Sequence, residues 1–211
     1  MKSMSECIPT LERLKLRGRK SEMVKATESS LASMAERLAE AGYSTENPQV
    51  YAVVQRYGAL LLDGTAEKGL FVKGECGIGK TYGCEVLAYL FDMPVFTPED
   101  FAADFKECDG NLHDLEKQVI TGGDFFERPQ NIMIDEIGSK DTVKCFGEAE
   151  NIMETVIDMR YRAFLRYGVL TIVTTNLTDR EIRERYGRRI EDRLQEMFYI
   201  CRVTGKSLRQ R

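Results

Sequence analysis

The spacing of apolar and polar positions changes several times along this chain, and the changes divide it into elements. From Ser29 to Ala41, Leu31, Met34, Ala35 and Leu38 recur at helical spacing, and Gly42 is a stop. Asn47-Pro48 predicts a helix start, a capping residue before proline at the first helical position. Val50, Val53, Val54, Tyr57, Leu60 and Leu61 form its buried stripe, and Asp63-Gly64 turns the chain. Leu70-Phe71-Val72 is then a short continuous apolar run, the pattern of a buried parallel strand. Cys84, Val86, Leu87, Leu90 and Phe91 return to a helix-compatible face.

Further on, Pro94-Val95-Phe96 predicts a second short strand and Thr97-Pro98 a helix through Phe101 and Phe105. Residues 109–120 add a helix, and Gly122-Gly123 is a loop. Ile132-Met133-Ile134 reads as a buried strand ending in Asp135-Glu136. Glu148 to Arg166 predicts a long helix with Ile152, Met153, Val156, Ile157, Tyr161, Phe164 and Leu165 on one side, ended by Gly168. Val169 to Thr175 reads as a strand. Thr178-Asp179-Arg180-Glu181 is a capping box, and Phe198 to Val203 is a last strand. Strands alternating with helices predict an α/β fold with a parallel sheet flanked by helices.

Composition narrows the class. The chain has 211 residues, 43% apolar and 30% charged, enough for a real core in one ordinary domain with a small appendage. No apolar run reaches membrane-spanning length, and the basic N-terminus lacks the apolar stretch of a secretory signal. Six scattered Cys with no C-x-x-C pair and a single His, His113, argue for reduced thiols in a cytoplasmic protein and against a metal centre. The net charge of −4 hides two basic ends, residues 1–25 and 180–211, around an acidic middle. A basic end suits nucleic acid or an acidic partner, whereas a solvated helix face explains each end equally well. Residues 1–45 are expected to form a basic helical appendage that docks on a partner or on the main domain. Residues 46–211 are expected to be the main domain.

The candidate chemistry lies at strand ends. Gly74-Glu75-Cys76-Gly77-Ile78-Gly79-Lys80-Thr81 fits the phosphate-binding loop G-x-x-x-x-G-K-[ST] at every fixed position. Its glycines allow a tight turn that aims backbone N–H groups at phosphate oxygens. Lys80 is a point charge for the β- and γ-phosphates, and Thr81 offers a hydroxyl to Mg2+ at a helix N-terminus. Ligands of open α/β sheets bind at the carboxyl edge, where Asp135 would hold Mg2+ and Glu136 would polarise an attacking water. Asn176, directly after the Val169–Thr175 strand, can orient the same water or meet the γ-phosphate.

Together these motifs resemble the AAA+ ATPases, and specifically the DnaC/IstB group of helicase loaders and transposition helpers. The resemblance covers about residues 47–209. It rests on the phosphate loop, Ile134-Asp135-Glu136-Ile137-Gly138, Thr174-Thr175-Asn176-Leu177 and two C-terminal stretches. These are Glu184-Arg185-Tyr186-Gly187-Arg188-Arg189-Ile190-Glu191-Asp192-Arg193-Leu194 and Lys206-Ser207-Leu208-Arg209, of which the first is the most diagnostic. The resemblance implies a P-loop NTPase with little or no C-terminal lid that hydrolyses ATP with Mg2+. It puts Asn176 at the sensor-1 position and Arg193 at the arginine finger reaching a neighbouring subunit, with Arg189 ranked second. Arg209 falls at the sensor-2 position, contacting nucleotide in cis. The implied partners are a replicative helicase, single-stranded DNA and further copies of the chain. A DnaC-like loader and an IstB-like transposition helper share this core and stay unseparated here. A self-contained P-loop phosphoryl-transfer enzyme is the remaining rival.

Overall fold

The computed structural model describes residues 27–40, 47–107, 110–123, 128–139, 141–145 and 148–208. Five strands make one parallel sheet: β1 (Gly69–Gly74), β2 (Val95–Phe96), β3 (Ile132–Ile137), β6 (Thr171–Thr175) and β7 (Phe198–Val203). Their order is β2-β3-β6-β1-β7, and every pairing is parallel. A separate antiparallel hairpin joins β4 (Thr142–Cys145) to β5 (Glu148–Asn151). The helices are α1 (Glu28–Glu40), α2 (Pro48–Leu62), α3 (Lys80–Leu90), α4 (Pro98–Glu107), α5 (Leu112–Thr121), α6 (Ile152–Tyr167) and α7 (Asp179–Met197).

Successive residues of a strand face opposite sides, and because both sides are covered the central strands carry continuous apolar runs, Leu70-Phe71-Val72 in β1, Ile132-Met133-Ile134 in β3 and Ile172-Val173 in β6. In β1, Phe71 joins a core with Phe101, Val119, Val156, Ile190 and Leu194, contributed by α4, α5, α6 and α7. Its neighbours Leu70 and Val72 face the other way, into a core with Val50, Val54, Cys84 and Leu87 from α2 and α3. Leu38 of α1 is 1% exposed and belongs to that second core. Helix α1 thus packs on the body of the protein.

Helix ends follow the local signals. Thr178 and Glu181 complete the capping box of α7, and Gly168 closes α6 in the left-handed conformation. The long helix expected from Glu148 begins instead at Ile152, capped by Asn151. Residues 148–151 pair as β5, so the strand pairing with β4 overrides the helix propensity of Glu148-Ala149-Glu150. Gly187, at φ 77° and ψ 169°, breaks α7 into two halves.

One buried charge organises the sheet's amino edge. Arg160 on α6 is 1% exposed. It donates to the Thr171 hydroxyl (2.9 Å) and to the carbonyls of Val119 (3.0 Å), Gln130 (3.1 Å) and Leu170 (2.8 Å). Burial lowers its pKa, and the four oxygen acceptors replace the water that the guanidinium gives up. Among the described residues, no helix is long and apolar enough to cross a membrane.

Candidate active site

Strands β3, β6 and β1 are adjacent, so their carboxyl ends bring three separated motifs to one edge. The phosphate loop leaves β1, Asp135 and Glu136 lie near the carboxyl end of β3, and Asn176 follows β6. Gly77 and Gly79 of the loop hold φ of 84° and 89°, which an L side chain rarely adopts. Gly74 is needed for another reason. A Cβ there would sit 2.1 Å from the Val203 carbonyl oxygen of β7.

Lys80 opens α3 and is 6% exposed. Its ammonium donates to the Gly74 carbonyl (2.8 Å), the Glu75 carbonyl (2.7 Å) and the Asn176 side-chain oxygen (2.7 Å). Burial lowers its pKa, opposed by Cys76 and by the carboxylates of Glu136 and Asp135. Beside it the Thr81 hydroxyl donates to Asp135 Oδ1 at 2.9 Å. A hydroxyl and a carboxylate at this separation are the hard oxygen donors that Mg2+ takes together with water and phosphate oxygens. Thr81 and Asp135 therefore fit a Mg2+ ion whose remaining ligands would be phosphate and water, since among the described residues no group of three or more His, Cys, Asp or Glu side chains could hold a metal by itself.

Glu136 departs from regular strand geometry. Its φ is 56°, and the register between β3 and β6 shifts between Ile134 and Ile137. Strain of this kind in a non-glycine residue persists only where the surroundings fix it. Thr174, fully buried on β6, does the fixing. Its hydroxyl accepts the Glu136 backbone N–H at 2.9 Å and donates to Asp135 Oδ1. Next to it the Thr175 hydroxyl donates to the Ile137 carbonyl at 2.7 Å. Two threonines thus take over where the ladder is irregular, and one of them sets both acids.

Lys80, Thr81, Glu85, Glu136, Asn176 and Leu208 line a cleft of about 170 Å³ with the loop glycines. Glu85 lies one turn beyond Thr81 on α3. Burial, with Asp135 adding to it, pushes its carboxyl up to about 7. Leu208 is buried, and its N–H donates to the Gly77 carbonyl at 2.9 Å. The tail leading to it is held by Gln49, which accepts from the Thr204 N–H, and by Asn47, which donates to the Lys206 carbonyl. Behind the loop, Lys73 and Arg202 both donate to the carboxylate of Asp179, tying β1 and β7 to the start of α7.

The arginine-rich stretch divides its tasks. Arg185 and the Tyr186 hydroxyl both bond Asp141, a buried residue just past β3, and Arg185 also donates to the Gly138 carbonyl. Arg193 and Arg189 share Asp158 of α6. Arg193 is not among the residues lining the cleft of its own chain. Arg209 lies outside the described residues. The structure therefore brings the phosphate loop, Asp135, Glu136 and Asn176 together and leaves Arg193 elsewhere.

No protein-family model and no curated protein matches the chain. Solved structures do. A candidate primosome component from Streptococcus pyogenes serotype M3 superposes with a TM-score of 0.50 at 16% identity, over 88% of this chain and 86% of that one. A structure of DnaI gives 0.54 at 17% identity, over 91% and 94%. The replication initiator DnaA, bound to AMPPCP and single-stranded DNA, gives 0.55 at 13% identity, over 77% of this chain and 47% of DnaA. The chain thus spans about half of that DnaA structure. At such identities the likeness concerns the backbone. The chain shares the backbone fold of the DnaI and DnaA structures, a P-loop NTPase sheet flanked by helices.

Proposed function

We propose that this protein is a Mg2+-dependent ATPase of DNA replication, a helicase loader that places a replicative helicase on single-stranded DNA. The observation that carries the ATPase reading is the convergence of Lys80, Thr81, Asp135, Glu136 and Asn176 around one cleft. The replication reading draws on the fold shared with a primosome component, DnaI and DnaA.

In this reading the loop amides and Lys80 hold the phosphates of ATP. The ammonium already sits on three oxygen acceptors, which phosphate oxygens would replace. Thr81 and Asp135 hold Mg2+, which when bound neutralises charge on the phosphates. Glu136 accepts a proton from the attacking water, and Asn176 orients that water. Arg193, from a neighbouring copy, stabilises the charge that develops on the transferred phosphoryl group. Arg209 contacts the nucleotide within its own chain. Activity then depends on assembly into a homo-oligomer. Residues 46–211 make up the ATPase domain, and residues 1–45 present a helicase-binding segment in the cytoplasm, with α1 seated on the ATPase body.

The test is steady-state ATP hydrolysis across protein concentrations, with and without single-stranded DNA. Turnover that rises steeply with concentration and with DNA supports the reading. Turnover that ignores both points to a self-contained phosphoryl-transfer enzyme.

A further inference from the structure

Arg193 does not sit as surface arginines do. Its side chain is 24% exposed, whereas that of Arg189 is 66% exposed. Its guanidinium meets Asp158 Oδ1 and lies over the Tyr161 ring, 4.9 Å from the centroid. The other Asp158 oxygen accepts from Arg189 at 2.8 Å. The Tyr161 hydroxyl donates to Glu196 at 2.7 Å, which fixes the plane of the ring. Asp158 and Tyr161 are three residues apart on α6 and so share one face. Arg193 has two constraints of different geometry, a carboxylate at its edge and an aromatic face beneath it. Among the described residues Arg189 meets the carboxylate alone.

We propose that Asp158 and Tyr161 are positioning residues for Arg193, holding its guanidinium ready for ATP bound by a neighbouring copy of the chain. This rests on the reading of Arg193 as a finger acting in trans. An arginine free to sample its rotamers would lose that freedom at the moment of reaction; one already held has lost it on folding. The pair is not needed to join the two helices. Val156 and Met159 of α6 already pack in one core with Ile190 and Leu194 of α7, and partly exposed ion pairs stabilise little.

The experiment measures kcat and KM for ATP with the full chain, at concentrations where light scattering shows the oligomer. Asp158→Asn and, separately, Tyr161→Leu are expected to lower kcat about ten- to a hundredfold with KM unchanged. Adding Lys80→Ala subunits, which lack a working site but keep Arg193 held, is expected to restore turnover to Asp158→Asn. Adding the double variant Lys80→Ala, Asp158→Asn is expected to restore none. Wild-type kcat in both single variants overturns the proposal. So does a fall in kcat that Lys80→Ala subunits fail to rescue while they do rescue Arg193→Ala, because that pattern marks a structural role. If Arg193→Ala itself keeps full turnover, the trans reading fails and the positioning role falls with it.

Discussion

The Lys80 ammonium donates to the Asn176 side-chain oxygen at 2.7 Å, joining the start of α3 to the segment just past β6 across the cleft. In the proposed function a phosphate oxygen would compete for that ammonium, and ATP is expected to release Asn176 to turn toward water. Asn176→Ala is expected to leave ATP affinity within a few-fold of wild type and to lower turnover by at least about tenfold. Lys80→Ala is expected to lose ATP binding altogether. Calorimetry separates the two, and an Asn176→Ala affinity as poor as that of Lys80→Ala would sink the idea.

Thr174 sets both acids with one hydroxyl, so an isosteric change should disturb both. Thr174→Val leaves the Glu136 N–H without its partner and is expected to cost about 1–3 kcal/mol of stability. Turnover should fall toward that of Glu136→Gln, which is expected to bind ATP yet hydrolyse it about 10²–10⁴-fold more slowly. Thr174→Ser, which keeps the hydroxyl, should recover most of both. Urea melts and single-turnover hydrolysis on the same samples check the pair of claims.

Arg160 satisfies three backbone carbonyls and a threonine hydroxyl from inside the core. Arg160→Met fills similar space but takes the donor away from the Val119 and Gln130 carbonyls and the Thr171 hydroxyl, while the Leu170 carbonyl keeps the Ile132 N–H, and is expected to destabilise the protein by about 3–5 kcal/mol. Arg160→Lys keeps the charge without the planar fork and should rescue little. A urea midpoint for Arg160→Met close to wild type would contradict this account.

Glu85 ties stability to pH. Its carboxyl titrates at about 7 in the folded chain against an ordinary 4.5, because burial disfavours the charged form. A folded pKa raised in this way stabilises the protein fully below about 4.5, and the contribution is lost as pH rises through about 7. Glu85→Gln removes the ionisation. Its Tm should exceed that of wild type at pH 8 and the gap should narrow toward pH 5. An equal gap at both pH values would show that Glu85 does not titrate in this window.

Much of this was legible in the sequence because the loop chemistry imposes fixed spacings. The phosphate loop, the apolar run into Asp135-Glu136 and Asn176 after its strand all sit at the sheet edge where the strand–helix alternation puts them. Thr174 was not legible, since threonine in a strand reads only as β propensity. Arg160 was hidden for the opposite reason. It lies in a helix with other arginines, where charge suggests a solvated face, and only the carbonyls that converge on it from distant segments explain its burial. The role of Gly74 likewise depends on β7, more than a hundred residues away in the chain.

The Leu208 amide is bonded to the Gly77 carbonyl, so the chain beyond β7 and the Gly74–Thr81 loop form one mechanical part. Leverage through that part runs in both directions. A tag or fusion attached behind Leu208 pulls on the loop directly. The same cargo ahead of α1 is separated from it by two helices and a strand. Where a purification handle is placed is therefore expected to decide whether an assay of the proposed ATPase reads the native loop or one under tension.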